Sequence, residues 1–260
     1  MNSANEVLLK VLSWNVFQLP VPVNFTSQRR RLNSLIDFLR NRDDDVILLQ
    51  ECFDRGGRQK LIAELQAQFP FVSINEIKTR LRHFMDSGLL IMSRKPLSEL
   101  QSMTFSTGAH ADQFAAKGAL SAKVSVHNRH LHIVNTHLQA WNSSRAKNAR
   151  KGQLFELNTW MRNMRVPDTI QLLIGDLNMD FHFDKEIFDA CRILEMNLSP
   201  LVGDRQYSHQ MKKWLDYALV WNGNASVKVN SEILELPKTP DGINVSDHHP
   251  IVTIVDFSAI

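Results

Sequence analysis

The sequence contains little cysteine: only Cys52 and Cys191 occur among its 260 residues. Two cysteines cannot build the disulfide framework of a small secreted domain, so we expect two free, buried thiols. No apolar run approaches the roughly 20 residues that a membrane-spanning helix needs. Residues 1–10 also lack the basic start and apolar stretch of a secretory signal. We therefore expect no transmembrane segment, and a protein that is cytoplasmic or is exported without a conventional signal peptide.

Charge of one sign is also scarce. The 30 Lys and Arg residues exceed the 27 Asp and Glu residues by only 3, and runs of one sign reach three residues at most, as in Arg29–Arg31. Such a balance does not require a nucleic-acid partner, although it allows an anionic substrate. The three arginines begin a predicted helix, where positive charge opposes the helix dipole, and we expect them to face solvent. The absence of a glycine-rich Walker loop argues against nucleotide-driven chemistry.

Apolar residues, in contrast, make up 43% of the chain, which is typical of a folded globular protein. Strand-like apolar runs recur, some separated by helices and two forming a hairpin, which indicates mixed sheets. Two such sheets with outer helices would use residues 1–260 as a single domain. The predicted strands are Val7–Val16, Val46–Leu49, Gly88–Ser93, Ala119–Val126, Leu131–His137, Thr169–Ile174, Leu215–Trp221 and Ile251–Phe257, and the predicted helices are Ser27–Arg40, Arg58–Phe69, Ser144–Met164 and Asp184–Leu194.

Polar residues that can carry chemistry stand at six ends of these strands, where loops leave the packed interior. Taken singly, each has an ordinary explanation: Asn and Asp form turns, Glu51 is a solvated strand end, and His137 is a satisfied core histidine. The joint pattern is harder to dismiss, and it includes neither Lys nor Cys. The residues concerned are Asn15, Gln50, Glu51, Thr136, His137, Asp176, Asn178, Asp216, Asp247, His248 and His249.

This inventory indicates metal-assisted hydrolysis. Carboxylate and amide oxygens suit a hard cation such as Mg²⁺ or Mn²⁺. Histidine beside a carboxylate suits general-base catalysis near neutral pH. Together they suit a phosphate ester, whose charged oxygens must be neutralised before water attacks in line.

The same residues, read in order, resemble the endonuclease/exonuclease/phosphatase superfamily. The resemblance spans residues 14–250 and implies a DNase I-like, four-layered α/β sandwich with two mixed, mostly antiparallel sheets packed face to face and helices outside. It also implies a divalent-metal-dependent phosphoesterase. The motifs are Trp14-Asn15, Gln50-Glu51, Thr136-His137-Leu138, Gly175-Asp176-Leu177-Asn178, Leu215-Asp216-Tyr217 and Ser246-Asp247-His248-His249-Pro250.

Within the superfamily the chain is most similar to the neutral sphingomyelinases. The extended motif Thr136–Ala140, the first strand with Leu19-Pro20 after it, and Asp112 with Lys117 resemble elements of those enzymes. The ordinary explanation of the last element is a flexible loop with a solvated lysine. The resemblance implies hydrolysis of sphingomyelin, a phospholipid met at a membrane surface, to ceramide and phosphocholine.

The resemblance also implies a role for each site residue. Glu51 binds the principal Mg²⁺, with Asn15 nearby, and Mn²⁺ is an alternative cation. Asp176 and Asn178 hold the attacking water and a phosphate oxygen. His248 is the general base, oriented by Asp216, and Asp247 supports the metal or this histidine. His137 donates to a phosphate oxygen, and Lys117 approaches the phosphate, positioned by Asp112.

One departure from the sphingomyelinases and two alternative functions stay open. The aromatic-tipped hairpin that bacterial sphingomyelinases carry before the final Asp-His motif is missing, because residues 233–245 are short and contain no aromatic residue. Lipid docking would need another surface, for which residues 17–25 are candidates, with a buried loop equally plausible. A nuclease is the first alternative, because residues 144–164 place Arg145, Lys147, Arg150, Lys151 and Arg162 on one helix, where a solvated face is the ordinary explanation. A non-catalytic binding module on the same fold is the second. We expect a monomer.

Overall fold

The computed structural model describes residues 8–19, 27–74, 85–126, 129–167, 169–183, 185–223 and 225–258. Their secondary structure comprises thirteen strands, four α-helices and a short 3-10 helix at His110–Phe114. The strands are β1 (Leu8–Gln18), β2 (Val46–Cys52), β3 (Phe71–Ile74), β4 (Leu90–Ser93), β5 (Leu97–Thr104), β6 (Gly118–Val126), β7 (Arg129–His137), β8 (Thr169–Asp176), β9 (Asn197–Leu198), β10 (Leu201–Val202), β11 (Asp216–Trp221), β12 (Lys228–Ile233) and β13 (Ile251–Asp256). The helices are α1 (Gln28–Arg40), α2 (Arg55–Leu65), α3 (Ser144–Arg162) and α4 (Glu186–Leu194).

The strands form two mixed sheets. The first has the order β10-β12-β13-β1-β2-β4-β3, and the second has the order β5-β6-β7-β8-β11-β9. Among the described strands, only the pairs β1–β2, β7–β8 and β10–β12 are parallel. Both sheets are therefore mostly antiparallel, as the resemblance implies.

The apolar side chains divide into three clusters that define four layers. One cluster lies between the sheets and includes Val11 and Leu48 from the first and Ile133 and Leu172 from the second. A second cluster packs α1 and α2 against the outer face of the first sheet. The third packs α3 and α4 against the outer face of the second sheet. The four-layered α/β sandwich with helices outside is confirmed.

Strand register brings polar residues together at one edge of the second sheet. In the parallel pair β7–β8, His137 is paired with Asp176, and in the antiparallel pair β8–β11, Asp216 is paired with the same residue. Asp176, on β8, therefore lies between His137 on β7 and Asp216 on β11. In the first sheet, Asn15 of β1 is paired with Gln50 of β2, next to Glu51.

Close backbone packing at this edge requires two glycines. A Cβ atom on Gly175 would lie 2.0 Å from the carbonyl oxygen of Thr136, and one on Gly118 would lie 1.9 Å from that of Met103. Any side chain at either position would push apart the strands that carry the site.

Several elements differ from the expectations. Strands β3, β5, β9, β10 and β12 were not predicted: β5 is mostly exposed, β9 and β10 have two residues each, and β12 alternates buried and exposed residues without an apolar run. Helix α2 begins three residues earlier than predicted, because tertiary packing overrides the low helix propensity of Gly56 and Gly57. The predicted end residues Val7 and Asp184 lie outside the described residues.

Two expectations about exposure were wrong. Arg31 is 96% buried, because its guanidinium donates to the carbonyl oxygens of Val245 and Phe17 over 3.1 and 2.9 Å, whereas Arg29 and Arg30 are exposed as predicted. Cys191 is only half-buried, because it lies beside the buried stripe of α4 rather than on it; Cys52 is free and buried as expected.

Candidate active site

At the candidate site, one amide and two carboxylates connect the two sheets through hydrogen bonds. The Nδ2 atom of Asn15 donates to Oε1 of Glu51 over 3.1 Å and to Oδ2 of Asp176 over 3.0 Å. Asn15 and Glu51 belong to the first sheet and Asp176 to the second. Three residues that the sequence predicted to share a site, and that are separated by up to 161 positions, therefore lie in direct contact.

The backbone at two site positions adopts an unfavourable conformation. Glu51 has a φ of +57° and Asn178 a φ of +54°, a region that residues with a side chain seldom occupy. Asn178 is held by its own hydrogen bonds, because its backbone N–H donates to Asp176 and its amide to the Leu138 carbonyl oxygen. Such strain is often found where a side chain must be aimed into a functional site.

Burial raises the pKa of both carboxyl groups. The pKa of Glu51 rises to about 7, because the hydrogen bond from Asn15 offsets the loss of water only in part. The pKa of Asp176 rises to about 6, because the charge of His248 likewise offsets its burial only in part. Glu51 is partly exposed as a residue, but its Oε2 atom is enclosed and has no hydrogen-bond partner among the described residues. A buried carboxylate oxygen without a donor indicates a place for a cation.

His248 is oriented by a second carboxylate. Its Nδ1 atom lies 2.8 Å from Oδ2 of Asp216, so Nδ1 carries the proton that this bond requires. Its Nε2 atom faces Asp176, with a distance of 3.7 Å to Oδ2. Burial alone would lower the pKa of His248, but Asp216 and Asp176 together raise it to about 10.

The buried Lys117 and the half-buried Asp112 form an ion pair beside His137. The Nζ atom of Lys117 lies 2.6 Å from Oδ2 of Asp112 and 3.1 Å from Nε2 of His137, and it donates to the Leu138 carbonyl oxygen over 2.8 Å. The lysine is therefore not a solvated charge. Burial, followed by the positive charge of Lys117, holds the pKa of His137 well below its usual range.

Asp247 lies at the rim of the site rather than in its centre. Its Oδ2 atom is 3.6 Å from Nε2 of His209, and the His209 ring packs edge-on against His248 with centroids 4.7 Å apart. Burial raises the pKa of Asp247, but the neighbouring His209 and His248 imidazoles together outweigh it and leave the pKa below its usual value. Sequence reasoning missed His209, which no strand end or motif marks.

Gln139 is a second residue that sequence reasoning did not select. It follows His137 in the histidine motif, is fully buried, and donates to Asp112 over 3.1 Å. Its own backbone N–H donates to Gln153 of α3, and its side-chain oxygen accepts from the backbone N–H of Ala109. Gln139 thus fixes the carboxylate that holds Lys117.

The basic helix and the candidate docking loop also differ from expectation. Arg150 is 99% buried, because it donates to the Gln139 carbonyl oxygen and pairs with Glu186 over 2.7 Å, so it is not part of an exposed basic face of α3. Phe17 and Leu19 are half-buried and Gln18 is buried, and residues 20–25 of the candidate loop lie outside the described residues.

Two groups of side chains could hold a metal ion. Asp176, Asp216 and His248 bring one ligand atom each within 4.8 Å of one another, and so do His209, Asp247 and His248. Glu51 is in neither group, although it shares the Asn15 amide with Asp176. The amide nitrogen, not the oxygen, of Asn15 faces these carboxylates, and the oxygen accepts from the backbone N–H of Phe17.

Comparisons with known proteins agree with this geometry. The profile of the Endonuclease/Exonuclease/phosphatase family matches residues 12–248. Sphingomyelinase C from Bacillus cereus is 24% identical over 299 aligned positions, which cover 96% of this chain and 89% of that protein. The structure of beta toxin from Staphylococcus aureus with bound magnesium ions superposes with a TM-score of 0.84 at 22% identity, covering 94% of this chain and 98% of that one.

A third comparison lies further away within the same fold. The structure of TDP2 from D. rerio, complexed with a single-stranded DNA product, superposes with a TM-score of 0.71 at 16% identity and covers 96% of this chain and 99% of that one. None of the described helices is long and apolar enough to cross a membrane. The chain belongs to the endonuclease/exonuclease/phosphatase family and is sphingomyelinase-like within it.

Proposed function

We propose that the protein is a single-domain, Mg²⁺-dependent phosphodiesterase that hydrolyses sphingomyelin to ceramide and phosphocholine. The observation that carries the proposal is the His248–Asp216 pair, which faces Asp176 where the two sheets meet. The similarity to sphingomyelinase C and the Lys117–Asp112 pair favour a choline lipid as the substrate.

Glu51 is the proposed principal metal ligand, because its enclosed Oε2 atom lacks a donor among the described residues. An oxygen-rich donor set suits Mg²⁺, and Mn²⁺ accepts the same ligands. Asn15 would bind through its oxygen only after its amide turns over and gives up the bond from Phe17. When bound, the cation would supply positive charge to a phosphate oxygen and keep Glu51 ionised.

His248 is the proposed general base. In its neutral form His248 keeps the proton on Nδ1, which donates to Asp216, so Nε2 is the atom that can then accept a proton from water. Asp216 also stabilises the imidazolium that this transfer creates. Asp176 and Asn178 would position the water and a phosphate oxygen, and Asp247 would support His248 through His209.

Lys117 would stabilise charge on the phosphate, and His137 would donate to a phosphate oxygen from Nε2 only once Lys117 gives up its bond to that atom. The three contacts of Lys117 are with Asp112, the Leu138 carbonyl oxygen and His137, so its charge acts close to the imidazole rather than at the end of a free side chain. Losing one such charge-stabilising group typically costs about 10²- to 10³-fold in rate.

A metal-dependence assay with two substrates tests the proposal. Sphingomyelin vesicles and single-stranded DNA are offered in parallel, each with Mg²⁺ and with EDTA. We expect phosphocholine release that requires Mg²⁺ and is lost in His248→Ala, with the DNA intact. Cleaved DNA with intact lipid would leave the metal site but make the protein a nuclease. No hydrolysis of either substrate would favour the binding module.

A further inference from the structure

Two loops beside the site are joined to each other. One comprises residues 180–183, after β8, and the other residues 205–214, before β11. The ring of His182 contacts the ring of Tyr207 with centroids 4.9 Å apart, and its Nε2 atom lies 3.1 Å from the Gln206 carbonyl oxygen. The two loops therefore form one continuous rim, which we call the aromatic rim.

The aromatic rim exposes large hydrophobic side chains. Phe183 is 75% exposed and Met211 is 69% exposed, the highest values for any large hydrophobic residue in the described part of the chain. Tyr207 is also exposed. Phe183 and Met211 belong to different loops that the His182 contacts join. An apolar surface of this kind beside a site indicates an interaction partner.

The same rim carries positive charge. In the described segment 204–213, Arg205 and Lys212 are exposed and Lys213 is half-exposed, and Asp204 is the one exposed acidic residue. Lys212 has a φ of +56°, which turns the chain sharply directly after Met211. Basic residues interleaved with exposed apolar ones match a surface of anionic headgroups above acyl chains.

The rim is attached directly to the proposed general base. His209 belongs to it and packs against His248 with ring centroids 4.7 Å apart. The backbone N–H of Gln210 donates to the Asp247 carbonyl oxygen over 2.9 Å. A surface bound to the rim would therefore lie next to the reacting groups.

We propose that the aromatic rim docks the protein onto a phospholipid bilayer that contains anionic lipid, with Phe183 and Met211 inserted and Arg205, Lys212 and Lys213 at the headgroups. This proposal rests on the proposed function, because a bilayer is chosen as the partner on the ground that the proposed substrate is a membrane lipid. Single-stranded nucleic acid also binds basic, aromatic surfaces, but there the bases stack on rings. Met211, one of the two most exposed side chains, has no ring to offer.

Vesicle co-sedimentation in EDTA tests the docking separately from hydrolysis. The double variant Phe183→Ser/Met211→Ser is compared with Leu100→Ser, which changes a 52% exposed side chain on β5, at the opposite edge of the second sheet. We expect the double variant to lose at least about tenfold in binding to vesicles of phosphatidylcholine and phosphatidylserine, and the control to bind like the unaltered protein. Lys212→Gln should lose about fivefold on these vesicles and little on phosphatidylcholine alone.

Equal vesicle binding by the double variant and the control would overturn the docking proposal. So would a double variant that loses binding to a fluorescent single-stranded oligonucleotide while its vesicle binding stays intact. The circular dichroism spectrum of each variant is compared with that of the unaltered protein, and identical spectra would show that a loss of binding is not due to misfolding. Since these measurements involve no turnover, a failure to hydrolyse sphingomyelin would overturn the proposed function and leave the docking result standing.

Discussion

The Nζ atom of Lys117 lies 3.1 Å from the Nε2 atom of His137, and both side chains are at least 95% buried. A lysine ammonium has no acceptor capacity, so the imidazole must accept this bond and stay neutral at Nε2. The low pKa of His137, caused first by burial and then by Lys117, agrees with this assignment. The pair concentrates positive charge on the lysine and keeps the histidine uncharged.

Lys117→Met should therefore affect both the histidine and the reaction. We expect the pKa of His137 to rise toward its usual value, since one of the two main causes of its depression is removed. The turnover of sphingomyelin should fall about 10²- to 10³-fold. Histidine NMR titration and steady-state kinetics measure the two effects. Lys123→Met, which breaks an exposed pair with Glu99 on the same sheet, is the matched control. An unchanged His137 titration would contradict the prediction.

Asp216→Asn should weaken the hydrogen bond that holds the His248 ring in place and fixes the proton on its Nδ1 atom. Asparagine can face Nδ1 with either its oxygen or its nitrogen, so the proton on Nδ1 is no longer fixed. We expect kcat to fall about 10²- to 10⁴-fold. Asp216 is the strongest of the groups that raise the pKa of His248, so the acid limb of the pH–rate profile should move to lower pH. Asp204→Asn, at an exposed position, is the control. A profile that keeps its position would show that His248 is not the titrating base.

Magnesium affinity should depend on pH through Glu51 and Asp176. Because their pKa values are raised to about 7 and about 6, these two carboxylates become protonated at a higher pH than ordinary carboxyl groups do. A metal ion binds the ionised form, so affinity should fall as the pH is lowered from about 8 to about 6, by up to about tenfold per pH unit for each proton released. Isothermal titration calorimetry at several pH values measures this. Glu51→Gln should bind Mg²⁺ weakly at every pH, and a pH-independent affinity for the unaltered protein would refute the assignment.

Arg31→Met should destabilise the fold by about 2 kcal/mol, because it leaves the carbonyl oxygens of Phe17 and Val245 without their buried donor. Arg30→Met removes a neighbouring arginine that pairs with Asp241 at the surface, and its effect should stay within about 0.5 kcal/mol. Urea unfolding followed by circular dichroism compares the two. Similar losses in both variants would mean that the Arg31 contacts contribute no more than a surface pair.

The sequence predicted the layered fold and the site residues that occur in short ordered motifs, because each motif is local. It did not predict contacts made by side chains far along the chain. Arg31 is read as exposed from its place at a helix start, yet it is buried where it donates to the carbonyl oxygens of Phe17 on β1 and of Val245 before β13. His209 has no local signal, since its contact with His248 exists only after the loop before β11 folds back. Strands β9 and β10 are too short to be recognised without the strands that they pair with.

The Asn15 amide joins the two sheets, and other buried side chains beneath it do the same. Asn135 of the second sheet donates to the carbonyl oxygens of Leu49 and Leu90 in the first, and accepts from Gln50. A small sliding of one sheet over the other would separate the reacting groups while leaving each sheet's own hydrogen bonds intact. Enzymatic activity would then be an early reporter of loosening, lost at lower denaturant concentration than the β-sheet signal. Inactivation and unfolding would become two distinguishable events in a protein whose proposed catalytic groups belong to neither sheet alone.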